Sequence, residues 1–281
     1  MVTHEENFTI RLSSHTERKI IRDQFVPYFK KLPSDVVKEG GNLELYAAVA
    51  ARRYRQLLPD VADKVAEVRN AYEHGNAITP CVIKGTGLGY VQNLINKPDK
   101  RITGSQPLNR MDGHSALKNS EKTNSAKASE EAHHILGLTM AGLLGCRVDR
   151  FYLNSDAKDS QSSEPHNHKE YSIVIGLGDS VGVKTHLLDD QENTIASPEI
   201  NRGDIVIFPP QVEHYVDDIE PHHITRKDVE GQPRTRKTFA YFSEPSEQKF
   251  TKDQLDEAEK QFLYTEKEFE AQQRGSLGHI R

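Results

Sequence analysis

Two segments in the second half of the chain each join an apolar strand to histidine side chains, and they restrict the possible folds most strongly. The first segment, Pro165-His166-Asn167-His168-Lys169-Glu170, stands directly before the apolar run 171–175. Alternate residues of an extended strand lie on one face, so His166, His168 and Glu170 are expected to point the same way. Imidazole and carboxylate groups on one face are the ligand types of an open iron site.

The second segment is an apolar strand over residues 205–208 that is bounded by turn residues. The chain enters it through Gly203-Asp204 and leaves it through Pro209-Pro210, and His214 follows a few residues later. Gly-Asp and Pro-Pro pairs are typical of turns, so His214 is expected just beyond the strand end. From there an imidazole can complete a metal site across a β-barrel.

Two ligand sets meet part of the requirement for iron. The first set contains His168, Glu170 and His214, which supply the two imidazoles and one carboxylate that are typical of oxygen-activating iron(II) sites. The second set contains His166, His168 and His214, which supply three imidazoles and no carboxylate. Because His168 and His214 belong to both sets, only the third ligand is left open.

The chain is expected to form a single domain over residues 1–281, since no repeat and no Pro/Ser-rich linker divides it. Residues 1–75 are expected to form a helical preface, 76–245 a β-barrel core and 246–281 a C-terminal helix. The predicted helices run from a Thr16 cap to Pro33, from Leu43 to Leu58, from Val61 to Tyr72, from Ser129 to Gly145, and from a Thr251–Gln254 capping box to Gly275. The predicted strands outside the two metal segments are Ile78–Gly85, Cys146–Leu153 and Phe239–Phe242.

Three further segments have local patterns of their own. Residues 96–128 are rich in Lys, Asn, Ser, Thr and Gly, which predicts a mobile insertion that either covers an active site or is simply disordered. Residues 85–89 are expected to form a glycine turn rather than a nucleotide loop, because no Gly-Lys-Ser/Thr follows them. His133 and His134 diverge by about 100° around their predicted helix, so solvated or supporting histidines are expected there rather than two ligands of one metal.

Composition limits the class of protein. Hydrophobic residues make up 35% of the chain and charged residues 28%, which is typical of a soluble globular protein. A formal charge of −5 argues against general binding to nucleic acid or to an anionic membrane. Cys81 and Cys146 are expected to be buried thiols. Because the start lacks a secretory pattern and no run is long enough to span a bilayer, a cytoplasmic protein with a small-molecule substrate is expected, of unknown oligomeric state.

The predicted strand downstream of His214 contains a candidate anchor for an acidic co-substrate. Arg236 and Thr238 share a face, and a guanidinium beside a hydroxyl can hold a carboxylate. Arg234 has the same parity and Arg226 lies nearer to His214, so both are alternatives. A solvated basic turn is the remaining interpretation.

In this order the segments resemble the 2-oxoglutarate and iron(II)-dependent oxygenases, whose core is a double-stranded β-helix, or jelly roll. The resemblance spans about Ile78 to Phe242, and the helical preface is similar to that of the clavaminate-synthase-like branch. The residues that carry it are the strand Arg147–Tyr152, Pro165-His166-x-His168, Gly203–Phe208, His214 and Arg236-x-Thr238. It implies an α+β protein with a jelly-roll core and flanking helices.

The resemblance also implies a reaction and its cofactors. Fe(II) would be held by ligands among His166, His168, Glu170 and His214, and 2-oxoglutarate by Arg236 and Thr238. The co-substrate would be converted to succinate and carbon dioxide while a small polar metabolite, such as an amino acid derivative, is hydroxylated, desaturated or cyclised. In one alignment His168 stands where the family has a carboxylate, and the wide gap before Arg236 indicates an insertion over 220–231.

Two alternatives stay open at this point. His166-x-His168 with Glu170, and Gly203-x5-Pro209-x4-His214, are similar to the two metal motifs of cupins, although Gln211 replaces a typical glycine. A cupin would be a metal-dependent dioxygenase or isomerase that needs no 2-oxoglutarate. A non-catalytic binding jelly roll is the third hypothesis, and it predicts no stoichiometric metal.

Overall fold

The structure is a computed structural model that describes residues 8–12, 15–76, 78–88, 106–107, 124–156, 164–178, 180, 182–218 and 236–278. The helices are α1 (His15–Lys19), α2 (Pro33–Lys38), α3 (Leu43–Leu57), α4 (Pro59–Glu73), α5 (Asn124–Leu143), α6 (Lys252–Phe262) and α7 (Glu266–Gly278). A π-helical segment, Ile20–Phe25, and a 3₁₀ turn, Val26–Tyr28, follow α1. The strands are β1 (Thr9–Arg11), β2 (Cys81–Lys84), β3 (Gln106–Pro107), β4 (Cys146–Asp156), β5 (Tyr171–Gly176), β6 (Thr185–Leu188), β7 (Thr194–Ala196), β8 (Ile205–Phe208), β9 (Glu213–Val216) and β10 (Arg236–Pro245).

These strands form a large and a small sheet. The large sheet has the order β1-β2-β8-β5-β10-β4-β3, and the small sheet has the order β7-β6-β9. Within the described residues no strand ladder joins the two sheets. The expected closed barrel is therefore not observed, and the α+β protein has two open sheets.

The large sheet buries both of its faces, because its strands carry apolar side chains at successive positions. One face packs against the helices through residues such as Ile173, Ile207 and Tyr241. The other face shares an apolar cluster with the small sheet, and the members of that cluster include Val174, Val206, Phe208, Ala240 and Phe242 from the large sheet and Leu187 and Ala196 from the small one. Side chains thus alternate between a helix layer and a space between the sheets.

The helix layer depends on a close approach between α3 and α5. Asn42 caps α3, since its Oδ1 accepts hydrogen bonds from the backbone N–H groups of Glu44 (2.8 Å) and Leu45 (3.1 Å). A Cβ atom added at Gly142 of α5 would lie 2.3 Å from the carbonyl oxygen of Ala47 in α3. Only glycine therefore permits this backbone contact.

The predicted helices of the first half are confirmed in part. α3 and α4 match the expected ranges closely. Thr16 lies inside α1 and is not its cap, and the helical pattern continues as π and 3₁₀ turns that bury Ile21 and Phe25. The start predicted for α5 was too late, because the helix begins at Asn124, within the expected polar insertion.

The single C-terminal helix predicted by the sequence is wrong. The Thr251–Gln254 capping box is present, but α6 ends at Phe262. Leu263 takes an extended conformation and forms a β-bridge with Phe29. Thr265 then caps α7, because its hydroxyl accepts the N–H of Glu268 at 3.3 Å while the Glu268 carboxylate accepts the N–H of Thr265 at 2.7 Å. This second capping box, Thr265-x-x-Glu268, is visible in the sequence and could have predicted the start of α7.

The predicted strands are confirmed in β2, β4, β5, β8 and β10, with shifted ends. β6 and β7 were not predicted, because short strands between turns show little periodicity. Cys81 and Cys146 are free and buried, as expected. Most of the polar insertion, Gly89, Arg226, Arg234 and residues 220–231 lie outside the described residues.

Among the described helices, none is both long enough and apolar enough to cross a bilayer.

Candidate metal centre

Three of the four expected metal ligands come together. One potential ligand atom from each of His166, His168 and His214 lies within 4.8 Å of the other two. The ring centroids are 5.1 Å apart for His166 and His168, 4.4 Å for His166 and His214, and 5.1 Å for His168 and His214. His214 is buried, whereas His166 and His168 are half-buried, so the cluster lies at an opening of the protein.

Backbone pairing between the two metal segments sets this geometry. His166 and His214 form an antiparallel bridge, with N···O distances of 3.1 and 2.8 Å. The N–H of Gln211 donates to the carbonyl of His168 at 2.8 Å. Gln211 has a φ of 66°, in the left-handed region that favours glycine. The turn after Pro210 therefore needs this conformation, and His214 lies within β9 rather than beyond a strand end.

Hydrogen bonds to backbone carbonyl oxygens orient two of the three imidazoles. Nδ1 of His166 lies 2.8 Å from the carbonyl oxygen of Glu164, and Nδ1 of His214 lies 3.1 Å from that of Val212. A carbonyl oxygen only accepts, so each Nδ1 carries a proton, and in the neutral tautomer the lone pair is then on Nε2. Carbonyl partners of this kind orient metal-binding histidines.

The third imidazole is held in its neutral form. Burial, the largest cause, together with the neighbouring His166 and Arg150 lowers the pKa of His168 to about 4, while Glu170 opposes the shift. Phenyl rings wall the cluster, with Phe242 4.5 Å from His168 and Phe208 4.8 Å from His214 between centroids. Neutral imidazoles are the form that binds metal.

Glu170 lies nearby but does not join the cluster. Its buried carboxylate is 2.7 Å from Nη1 of Arg150. The guanidinium of Arg150 in turn lies 5.0 Å from the centroid of Phe242. The arrangement thus resembles the three-imidazole set of the sequence analysis rather than the set with a carboxylate.

The expected co-substrate residues lie on β10. Thr238 is fully buried, and its Oγ1 has no hydrogen-bond partner among the described residues. Thr238, Ala240 and Phe242 are alternate residues of β10 and therefore lie on one face of the strand. Ala240 and Phe242 belong to the apolar cluster between the two sheets. Arg236 begins the strand, and the six residue steps from Arg236 to Phe242 correspond to a backbone length of about 20 Å.

The adjacent histidines of α5 are not solvated, contrary to one expectation. His133 and His134 are buried at 0% and 4% exposure, on the helix side of the large sheet. Nδ1 of His134 lies 2.8 Å from the hydroxyl of Tyr241. Neither belongs to the three-histidine cluster.

Sequence reasoning missed Arg150 and Tyr152, which border the cluster. Both come from β4, and the Tyr152 ring lies 5.1 Å from that of Phe242. Their parity on β4 was visible, but only the pairing of β4 with β10 brings them beside the histidines.

Comparison with known proteins gives only distant similarity. No protein-family profile matches the chain, and no curated protein matches it. Among solved structures, a 2OG-Fe(II) oxygenase family oxidoreductase from Burkholderia pseudomallei shares 16% identity at a TM-score of 0.39, over 65% of this chain and 90% of its own. The alpha-ketoglutarate-dependent carbocyclase SnoK of nogalamycin biosynthesis shares 10% identity at a TM-score of 0.31, over 40% of this chain and 58% of its own.

The ribosomal oxygenase YcfD of Escherichia coli, solved with cobalt and succinic acid, shares 17% identity at a TM-score of 0.30. That match covers 42% of this chain and 29% of YcfD. Such similarity does not by itself assign a fold family or a function.

Proposed function

We propose that this protein is a non-haem iron(II) oxygenase with a single-domain jelly-roll core. The observation that carries the proposal is the convergence of His166, His168 and His214 at an opening between two sheets. Three clustered imidazoles, two of them oriented by carbonyl oxygens, suit a first-row divalent metal. When bound, iron(II) would provide the redox-active centre for dioxygen chemistry, while the electrons would come overall from the co-substrate and the substrate.

The residues of the chain have separate roles in this proposal. His166, His168 and His214 hold the metal, and the carbonyls of Glu164 and Val212 orient two of them. Phe208 and Phe242 limit the access of water to the metal. Glu170 stays paired with Arg150 and acts through charge rather than by coordination.

The proposed co-substrate is 2-oxoglutarate, held by Arg236 and Thr238. Support comes from the order of the motifs in the sequence and from the buried Thr238 hydroxyl, which has no partner among the described residues. A buried hydroxyl without an acceptor is costly, and a carboxylate oxygen would satisfy it. The substrate is proposed to be a small polar metabolite in the cytoplasm.

A cupin-type dioxygenase or isomerase that needs no 2-oxoglutarate is the second candidate. It is favoured by the three-imidazole cluster without a carboxylate. The long separation between Arg236 and Phe242 on β10 also favours it, because a co-substrate would have to extend along much of the strand.

Anaerobic titration with iron(II) and 2-oxoglutarate tests the proposal. Chelation of iron by the 2-oxo acid gives a visible charge-transfer band, which the cupin candidate does not predict. Arg236→Leu should weaken the apparent affinity for 2-oxoglutarate by at least about a hundredfold, since charge-assisted bonds are lost and a carboxylate is left unpaired. Iron binding should be nearly unchanged, and Arg236→Lys should recover part of the loss.

Two results would count against the co-substrate. A band that survives Arg236→Leu with normal affinity would exclude the proposed anchor. Iron binding without any band, together with oxygen uptake that does not depend on 2-oxoglutarate, would instead support the cupin candidate.

A further inference from the structure

Two side chains of β4 that the proposed iron site does not use lie beside it. Cζ of Arg150 is 5.0 Å from the ring centroid of Phe242, and the Tyr152 ring centroid is 5.1 Å from the same ring. Phe242 in turn contacts His168, at 4.5 Å between centroids. Arg150 and Tyr152 therefore lie on the same side of the large sheet as the three imidazoles. The ring of Phe242 contacts both of them and His168.

The guanidinium of Arg150 has partners for only some of its N–H groups. Nη1 is 2.7 Å from Oε1 of Glu170 and 3.3 Å from Oδ2 of Asp149. Nε is buried, and it has no hydrogen-bond acceptor among the described residues. Nε and Nη2 form the edge of a guanidinium that can bind a carboxylate through two parallel hydrogen bonds. The shortest contact of each of these two carboxylates is to Nη1, and Nε is left without an acceptor.

The surroundings make Arg150 accessible from the opening. Its side chain is 27% exposed, whereas that of Glu170 is 10% exposed. Asp149 is 47% exposed, so water and salt screen its charge and it competes weakly. The side chain of Tyr152 is hydrogen-bonded to Arg150, which adds a phenolic group to the same anion site. A buried donor without an acceptor is rare in folded proteins, so the Nε group marks a position where an acceptor is favoured.

From these contacts we propose that Arg150 and Tyr152 bind the carboxylate of the reacting substrate. The substrate is then a small carboxylic acid whose nearby carbon atoms extend past Phe242 toward the three imidazoles. The ligand is called a substrate on the basis of the proposed iron site, so this part of the assignment rests on the proposed function. Anion binding at Arg150 can be tested without it.

Ligand-observed NMR titration of the 281-residue chain tests the anion site, with butanoate as the probe and butanamide as its neutral control. Butanoate should bind saturably and butanamide should not. Arg150→Gln should raise the Kd of butanoate at least about tenfold, and Arg150→Lys and Tyr152→Phe by about threefold. Glu170→Gln should lower the Kd, because it removes the competing charge. Thermal unfolding of each variant shows whether its fold is retained.

Arg147 provides the matched control. It lies on the same strand and pairs with Glu244 at 3.3 Å, but its side chain is 53% exposed. Arg147→Gln removes the same charge and should leave the Kd unchanged. An unchanged Kd in folded Arg150→Gln and Arg150→Lys, an equal loss in Arg147→Gln, or equal binding of butanamide would overturn the proposal.

The iron and 2-oxoglutarate titration separates this proposal from the proposed function. If Arg150→Gln abolishes the charge-transfer band while Arg236→Leu preserves it, Arg150 anchors the co-substrate and the assignment to the substrate is wrong. If no variant and no wild-type sample binds iron, the proposed function fails, while the butanoate result still decides whether Arg150 and Tyr152 form an anion site.

Discussion

Main-chain hydrogen bonds hold His214 in its position within β9. Its backbone is fixed by the bridge to His166, and its Nδ1 donates to the carbonyl of Val212. The imidazole packs against Phe208. Loss of the imidazole should therefore remove a metal ligand and leave the strand pairing intact.

We expect His214→Ala to lower iron(II) affinity by more than about a hundredfold, since loss of groups that merely support a ligand already costs about 10–100-fold. Metal content after anaerobic reconstitution and dialysis measures the effect. His186→Ala is the matched control, because His186 lies on the neighbouring β6 and is bonded to Asp217 at 2.7 Å and Ser197 at 2.9 Å. Normal metal content in His214→Ala would exclude the proposed centre.

Glu170 and His166 are the two candidates for the third ligand. Because Glu170 is paired with Arg150, we expect Glu170→Gln to reduce iron affinity by no more than about tenfold. His166→Ala should reduce it by at least about a hundredfold, since it removes one of the three clustered imidazoles. Competition with a chromogenic chelator gives both values, and the reverse ranking would restore the set with a carboxylate.

The contact between α3 and α5 shows how a single helix pair supports the site. α5 also packs against β4 and β5, the strands that carry Arg150 and follow His168. Gly142 permits this packing, since a Cβ there would meet the carbonyl oxygen of Ala47 at 2.3 Å and the side chain of Ala51 at 3.0 Å. The helices cannot separate without moving the sheet beneath them.

We therefore expect Gly142→Ala to lower the free energy of unfolding by about 1–3 kcal/mol through overpacking, although alanine has the higher helix propensity. Urea unfolding followed by circular dichroism measures the change. Equal stability of wild type and Gly142→Ala would show that α3 and α5 do not pack this closely.

The burial of His168 makes the stability of the whole protein depend on pH. His168 has a folded pKa of about 4, below the ordinary 6.5. Between these values the unfolded chain takes up a proton that the folded protein does not, so acidification favours unfolding. Above pH 6.5 both states are neutral at this position, and below about pH 4 both are protonated, so the dependence is confined to that window.

For the metal-free protein we expect the free energy of unfolding to fall as the pH is lowered from 6.5 toward 4. His168→Gln should show a smaller fall, because the glutamine does not titrate. Urea unfolding at pH 7, 5.5 and 4.5 gives both curves, and the difference between them isolates His168 from the carboxylates. Parallel curves would mean that His168 is not held neutral by the fold.

Several parts of the fold follow from local patterns in the sequence. The period of apolar residues predicts α3 and α4, and the apolar runs predict β5 and β8, because each pattern buries one or both faces of its own element. The Thr251–Gln254 capping box predicts the start of α6 for the same local reason. The spacing of His166 and His168 places both on one side of an extended segment, and their rings do lie 5.1 Å apart.

Those local patterns do not predict which distant segments of the chain pair with one another. The bridge from His166 to His214 brings three imidazoles together, and the pairing of β4 with β10 brings Arg150 to Phe242 and Glu170. The break after α6 arises because Leu263 pairs with Phe29 at the other end of the chain. Each of these contacts joins residues that are distant in sequence, so their geometry depends on how the sheets and helices pack and not on any local period.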